Sequence, residues 1–207
     1  MKSYIKMLDE YLPPQTAEKV WTLIQQDQVQ FRISKPRKSK LGDYRPPHGS
    51  KGHRISVNAD LNRFSFLITV LHEFAHLYAW KKHRSTIKPH GDEWKKEFQE
   101  ILNPYLDSNV FPSEIKRALV SYISNPAASS CADENLMRAL STYDHVQKTL
   151  VEDLPEGATF VLSNGLMFTK GLKLRKRYKC LCITNKRWYY VSSTADVKII
   201  IPETSNT

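Results

Sequence analysis

At 207 residues the chain is long enough for one domain of ordinary size and a smaller second unit. Its 41% hydrophobic content excludes a globally disordered chain, and it has no run of about 18 apolar residues that could span a membrane. The N-terminal segment is charged at Lys6, Asp9 and Glu10, where a signal peptide needs an unbroken apolar core. We therefore expect a cytoplasmic protein with no membrane partner.

The net charge of +10 is concentrated in two stretches of the chain. Residues 32–63 contain nine basic residues against two acidic ones, and residues 170–190 contain eight basic residues and no acidic one. In the second stretch the basic residues are interleaved with a tryptophan and three tyrosines. Such clusters indicate a polyanion-binding surface, and this composition suits phosphate contacts combined with base stacking. The alternative is a solvated basic strand face over an aromatic core.

The first part of the chain is predicted to form helices and then a small sheet. The segment from Tyr4 to Asp27 has the spacing of an amphipathic helix, interrupted at Pro13-Pro14. Three strand-like runs follow: VQFRIS from Val29, GDYRPP from Gly42 and HRISVN from His53. We expect these runs to pair in a sheet that precedes a central helix.

The central helix is predicted from Ala59 to about His83, with Asp60 or Asn62 as its N-cap. Apolar residues cover nearly all of its faces, which indicates burial. The next stretch, RSTIKPHG, contains proline and glycine and is predicted to be a loop. A second helix, DEWKKEFQEIL, then begins at Asp92, with acidic residues in its first turn. Its apolar face is formed by Trp94, Phe98 and Leu102.

The C-terminal part is predicted to be a small annex of antiparallel strands. A polar linker at residues 126–135 leads to a short helix near Leu136–Leu140 and then to five β-rich runs. The expected fold class is therefore α+β, with a first domain over residues 1–125 and an annex over residues 136–207. Three cysteines, an odd number, fit free thiols better than disulfides. They are Cys131, Cys180 and Cys182.

The central helix contains the motif H-E-x-x-H, formed by His72, Glu73 and His76. Residues four apart lie on one face of a helix, so both imidazoles can bind the same ion. Glu73 is then placed to contact a water molecule on that ion rather than to bind the ion itself. Burying two imidazoles and a carboxylate in an apolar helix is costly unless something compensates them, and one Zn²⁺ does so.

A catalytic zinc site needs a third protein ligand. The metzincin spacing would require a glycine at position 79 and a histidine at position 82, but the chain has Ala79 and Lys82. Candidates that remain open are His83 at the end of the helix, a glutamate of the next helix and His90 in the loop before it. The two glutamates are Glu93 and Glu97. We favour His90, because a side chain just before the second helix is aimed back at the central helix.

The motifs resemble those of the SprT-like family of zinc metalloproteases, which includes the Spartan proteases. The resemblance is carried by HEFAH, by HGDEW beginning fourteen residues after His76, and by KSKLGDYRPP and HRISVNADLN upstream. It covers the chain from about Val29 to Leu102. It implies a zincin-like catalytic domain with His72, His76 and His90 as ligands of one catalytic Zn²⁺. Glu73 would be the catalytic base.

Many members of this family carry a zinc ribbon with two cysteine pairs after the catalytic domain. Here only Cys180-Leu181-Cys182 occupies the comparable region, so we expect a ribbon-like annex without zinc. Several members cut proteins on DNA. The resemblance therefore adds DNA-associated proteins as candidate substrates and single- or double-stranded DNA as a candidate partner, with the nucleoid as a possible location.

The resulting hypothesis is peptide hydrolysis by a water molecule that zinc activates and Glu73 deprotonates. Two alternatives stay open: a non-catalytic DNA-associated scaffold with a structural zinc, and a His₂Glu peptidase that acts on small peptides without DNA. Tyr78, His83 and Arg84 are near the motif in sequence, but none is selected as an oxyanion donor. The predicted DNA contacts are Arg37, Lys38, Lys40, Arg45, Lys173, Arg175, Lys176, Arg177 and Lys179.

Overall fold

The computed structural model describes residues 2–37, 39–124 and 133–201. The chain divides into two compact units, Met1–His145 and Val146–Thr207. In the described residues the first unit contains all six α-helices and a three-stranded sheet, and the second contains a six-stranded sheet. The protein is therefore α+β, as predicted. None of the described helices is long and apolar enough to cross a membrane.

The elements of the first unit follow the predicted order. They are α1 (Lys2–Asp9), α2 (Ala17–Gln26), β1 (Gln30–Ser34), β2 (Gly42–Arg45), β3 (Arg54–Asn58), α3 (Arg63–His83), α4 (Asp92–Leu106), α5 (Ser113–Ile123) and α6 (Glu134–Ser141). The predicted helix break at Pro13-Pro14 separates α1 from α2, and each of the three predicted strands is present. Helix α5 was not predicted, although Ile115, Leu119 and Tyr122 form its buried face.

The first sheet has the strand order β1-β3-β2, so β3 lies between two edge strands. Strand β1 is parallel to β3, and β2 is antiparallel to it. Ile55 and Val57 of β3 point into the core, while the intervening residues face the other side of the sheet, as the period of two in a strand requires. The side that carries Ile55 and Val57 packs against α3, which contacts both β2 and β3.

Helix α3 is the centre of the first unit. The Asn62 side chain accepts a hydrogen bond from the Ser65 backbone N–H at 2.9 Å, which confirms Asn62 as the N-cap. Eleven of the 21 residues of α3 are buried, because α4 packs against it on one side and the sheet on another. Trp94, Phe98 and Leu102 of α4 are fully buried, as their spacing predicted.

The second unit is built from short antiparallel strands around its own core. After a 3-10 turn at Val151–Asp153, its strands are β4 (Thr159–Leu162), β5 (Met167–Thr169), β6 (Lys173–Leu174), β7 (Arg177–Cys182), β8 (Trp188–Ser192) and β9 (Val197–Ile201). Cys180 and Cys182 lie two residues apart on β7, and both are free thiols inside this core. Burial raises the pKa of the Cys180 thiol. Cys131 lies outside the described residues.

Helix α6 belongs to the first unit, although this segment was predicted to be part of the annex. Leu136 and Leu140 are part of the first core. The Asn62 side chain also donates to the Leu140 carbonyl at 2.9 Å and to Asp144 at 2.6 Å, which ties the end of α6 to the start of α3. The boundary between the units therefore falls at 145/146, and the predicted linker at 126–135 lies mostly outside the described residues.

Candidate metal centre

Three imidazoles converge at the face of α3 that is covered by α4. His72 and His76 project from consecutive turns of α3, and His90 reaches them from the loop before α4. The His90 Nε2 atom lies 3.1 Å from His72 Nε2 and 2.9 Å from His76 Nε2. Three ring nitrogens that point at one another can share few protons, so this arrangement favours a cation among them.

The geometry of the three nitrogens fits a metal ion. In the part of the chain that the structure describes, these histidines form the one group of three or more potential ligands, with their ligand atoms within 4.8 Å of one another. Two nitrogens bound to one tetrahedral Zn²⁺ at about 2.0–2.1 Å would lie about 3.3 Å apart, close to the observed separations. Three imidazoles also leave one tetrahedral position open. The site could therefore hold a metal ion and still admit a further group.

The electrostatics of the cluster keep its imidazoles neutral. Burial holds the pKa of His72 well below its usual range, and the adjacent His76 and His90 lower it further. Burial lowers the pKa of His76 to about 3, again helped by His90, and it lowers the pKa of the more exposed His90 as well. Neutral imidazole is the form that binds metals, so no proton has to be removed near neutral pH.

Aromatic packing and a strained loop fix the positions of the three rings. The Trp94 ring lies 4.6–5.3 Å, centroid to centroid, from all three imidazoles and stacks on Phe98 behind them. His90 has a φ of 60°, which is unusual for a residue with a side chain and costs about 1–3 kcal/mol. Such strain persists where the surroundings demand it, and here it turns the ring toward α3.

Glu73 is one residue from His72 but projects toward the sheet. It is only 6% exposed, and its carboxylate accepts a hydrogen bond from the Tyr44 backbone N–H of β2. Burial, assisted by the nearby Asp43 carboxylate, raises the pKa of Glu73 to about 8. A carboxyl group that can hold or release a proton near neutral pH is suited to general acid–base chemistry. A cation among the imidazoles would favour its ionised form.

Gly42 of β2 is a residue of this site that was not predicted from the sequence. A Cβ atom added at Gly42 would lie 2.3 Å from Glu73 Oε1 and 2.7 Å from its Cγ. Only glycine therefore allows β2 to pass this close to the Glu73 side chain. A glycine inside a strand pattern often marks such a close backbone approach, and this signal was available in the run GDYRPP.

The other candidates for the third ligand are not part of the histidine cluster. Glu97 is buried and paired with Lys82 of α3, with 2.6 Å between Oε1 and Nζ. Glu93 and His83 are not part of the histidine cluster. Among the candidate oxyanion donors, the Arg84 guanidinium lies over the Trp80 ring at 4.4 Å. The His83 carbonyl accepts a hydrogen bond from the Thr86 hydroxyl at the end of α3.

The predicted DNA contacts of the first unit are largely engaged with the protein itself. Arg37 donates to the Asn58 side chain at 2.7 Å and to the Ser56 hydroxyl at 3.0 Å, so it holds the loop against β3. Lys40 and Arg45 both pair with Asp43 at 2.8 Å. Lys38 lies outside the described residues.

The predicted contacts of the second unit lie together and are exposed. They are Lys173, Arg175, Lys176, Arg177 and Lys179, and none makes an ion pair within the described residues. Strand β7 alternates, so Lys179 faces outward while its neighbours Tyr178 and Cys180 face the core. Trp188 and Tyr190 of β8 lie on the same outer face, opposite Leu181 and Lys179, and are 58% and 61% exposed.

The fold and the site define an α+β protein with a partly buried three-histidine cluster that could hold a metal ion. A family model described as the SprT-like family matches residues 9–116, more than half of the chain. The chain belongs to the SprT-like family. Comparisons with curated proteins and with solved structures find no match.

Proposed function

We propose that the protein is a zinc-dependent metalloendopeptidase with a zincin-like catalytic domain. The observation that carries the proposal is the convergence of three neutral imidazoles beside a buried carboxyl group of raised pKa. Membership of the SprT-like family supports the same conclusion, because the family is associated with metallopeptidase-like proteins. His72, His76 and His90 would hold the ion, and Glu73 would act as the general base.

The chemistry divides between the ion and the chain. When bound, Zn²⁺ supplies Lewis acidity that polarises a peptide carbonyl and makes a water molecule easier to deprotonate. Glu73 takes a proton from the attacking water and later delivers it to the leaving amine. The Tyr44 N–H fixes one side of the Glu73 carboxylate, and the absence of a side chain at Gly42 leaves space for it. The Trp94 ring excludes water from the inner side of the imidazoles.

Two rival functions explain the site less well. A structural zinc in a non-catalytic scaffold has no need of a buried carboxyl group beside its first ligand. A His₂Glu peptidase would need Glu93 or Glu97 at the ion, and Glu97 is occupied by Lys82. The three-histidine arrangement leaves both glutamates outside the cluster.

DNA is the partner that the second unit favours, and DNA-associated proteins would then be substrates. The outer face of β7 and β8 presents Trp188 and Tyr190 with Lys179 between them, and the Lys179 Nζ lies 4.8 Å from the Trp188 ring centroid. Exposed aromatic rings flanked by cations suit single-stranded nucleic acid, because bases stack on the rings while phosphates meet the cations. Two other aromatic residues, Tyr178 and Tyr189, pack against the core instead.

Zinc content and casein cleavage test the proposed metal site together. We expect about one zinc ion per wild-type chain and cleavage that stops on chelation. His90→Ala should lose most of the zinc and the activity, because two imidazoles alone do not complete the site. His83→Ala is the matched control and should keep both. If His90→Ala retains zinc, a glutamate is the third ligand and the His₂Glu alternative is correct.

DNA binding should depend steeply on salt and on the aromatic rings of the second unit. We expect Trp188→Ala and Tyr190→Ala each to weaken binding of a single-stranded oligonucleotide by about tenfold, the usual loss for one stacked base. Fluorescence anisotropy over a salt series measures both effects. Tyr4→Ala is the control, since Tyr4 is 57% exposed in the first unit. A flat response to salt, or no binding at low salt, would remove DNA from the proposal.

A further inference from the structure

The side of the first sheet that faces away from α3 forms a basic cleft. The cleft encloses about 560 Å³ between the outer side chains of β1, β2 and β3 and the loop after β1. Five basic side chains and a single carboxylate line it, namely Arg32, Lys35, Arg37, Arg45, Arg54 and Asp43. The centre described above lies on the other side of this sheet, toward α3.

The one carboxylate of the cleft pairs with only one of its five basic residues, Arg45. Asp43 is already bonded to Lys40 and Arg45, both at 2.8 Å, and these bonds lower its pKa. Arg32 and Lys35 are exposed, and neither side chain makes a hydrogen bond or ion pair to any residue that the structure describes. Their charges are therefore available to a ligand.

Arg54, on the central strand of the cleft, has one side-chain donor without a hydrogen-bond acceptor. Its Nη2 donates to the Pro46 carbonyl at 3.0 Å, but its Nε is buried with no partner among the described residues. It also lies directly opposite Arg45 across the β2–β3 ladder. Like charges at paired positions destabilise a sheet, and a buried donor without an acceptor costs further free energy. An anion bound in the cleft would offset the paired positive charges of Arg45 and Arg54.

The distribution of the cations indicates an extended anion rather than a single small one. Arg32 lies on β1 and Arg45 on β2, two strand spacings or about 10 Å apart, with Arg54 on the strand between them. A nucleic-acid strand presents a phosphate about every 3.4 Å along its axis, so several phosphates fit this span. Phe31, the one aromatic residue of the lining, is partly buried against the core, so the cleft has no ring for base stacking.

We propose that this cleft binds the phosphodiester backbone of a nucleic acid without reading its bases. Cations without stacking rings give contacts that are independent of sequence, because phosphates carry no base information. The cleft is separate from the surface formed by Trp188 and Tyr190, and it does not depend on the peptidase chemistry. It suits a duplex, whose bases are stacked and whose backbone is exposed.

The test compares two charge-matched double variants of the full chain by fluorescence anisotropy with a short labelled duplex. The Arg32→Gln/Lys35→Gln variant should bind the duplex about tenfold more weakly, or worse, at low salt. In a plot of log Kd against log salt concentration, its slope should be smaller than that of the wild type by about two. The control, Lys116→Gln/Arg117→Gln, removes the same two charges from exposed positions on α5 and should change affinity by less than about twofold. Hydrolysis of a short peptide should be the same in both variants.

Three outcomes would overturn the proposal. Unchanged duplex binding by Arg32→Gln/Lys35→Gln would show that the cleft does not bind the duplex. An equal loss in both variants would show that net charge alone matters. The third arm uses inorganic phosphate as the probe in thermal unfolding. If phosphate stabilises the wild type through Arg32 and Lys35 while duplex affinity does not depend on them, the cleft holds a single phosphate group. If the wild type does not hydrolyse the peptide, that result contradicts the peptidase proposal alone.

Discussion

Replacing Glu73 with glutamine is expected to lower kcat for casein cleavage by about 10²- to 10⁴-fold, the usual contribution of a general base. Glutamine has nearly the same volume, and its carbonyl oxygen can still accept the Tyr44 N–H. The substitution therefore removes the ability to take up a proton while leaving the packing intact. Zinc content should not change, because Glu73 is not part of the three-histidine cluster.

Glu97→Gln is the matched control for this experiment. Glu97 is as buried as Glu73, with 5% exposure against 6%, but it pairs with Lys82 and is not part of the histidine cluster. We expect Glu97→Gln to lose some stability and to keep its kcat. Full activity of a zinc-loaded Glu73→Gln variant would show that the base is another group, and absence of activity in the wild type would favour the scaffold alternative.

Gly42→Ala is expected to lower kcat by about 10²-fold or more while the ion stays bound, because a displacement of about 1 Å in a catalytic group can have that effect. The added methyl group would lie 2.3 Å from Glu73 Oε1 and 2.8 Å from Cδ, closer than real atoms approach. The backbone of β2 is held by its hydrogen bonds to β3, whereas the Glu73 side chain can rotate. The Glu73 carboxylate is therefore the group that moves.

Gly52→Ala serves as the control, because a methyl group there meets nothing within 4 Å. Both variants are measured for kcat, zinc content and thermal unfolding. We expect the unfolding temperatures to lie close together, so that the loss in Gly42→Ala reflects the position of Glu73. Wild-type kcat in Gly42→Ala would mean that the carboxylate can work from more than one position.

The histidine cluster could be predicted from the sequence because its ligands follow local rules. His72 and His76 are four residues apart on an apolar helix, and this spacing alone places them on one face. His90 was favoured from its position before a predicted helix, and the structure brings its Nε2 within 3.1 Å of both other rings. Asn62 was likewise predicted as a cap from its residue type and position.

Features that depend on contacts between distant segments could not be predicted in this way. The approach of Gly42 to Glu73 joins positions 31 residues apart, and no local pattern fixes that distance. In the first basic stretch, the Arg37 side chain is engaged by Ser56 and Asn58, 19 and 21 residues further along the chain, so its partners could not be predicted from its neighbours. The placement of α6 also depended on a distant contact, the hydrogen bond from Asn62 to Leu140.

The burial of α3 has a consequence for how the protein would respond to zinc supply. Small zinc domains unfold without their metal, because the ion substitutes for a hydrophobic core. Here apolar packing of α3 holds two of the three imidazoles in place. The fully buried residues of α3 include Phe66, Leu67, Val70, Leu71 and Phe74. We therefore expect the polypeptide to survive loss of the ion as a folded, dormant form. When zinc is scarce, existing molecules would lose their activity while remaining folded. They would regain it when zinc is supplied again, without new synthesis.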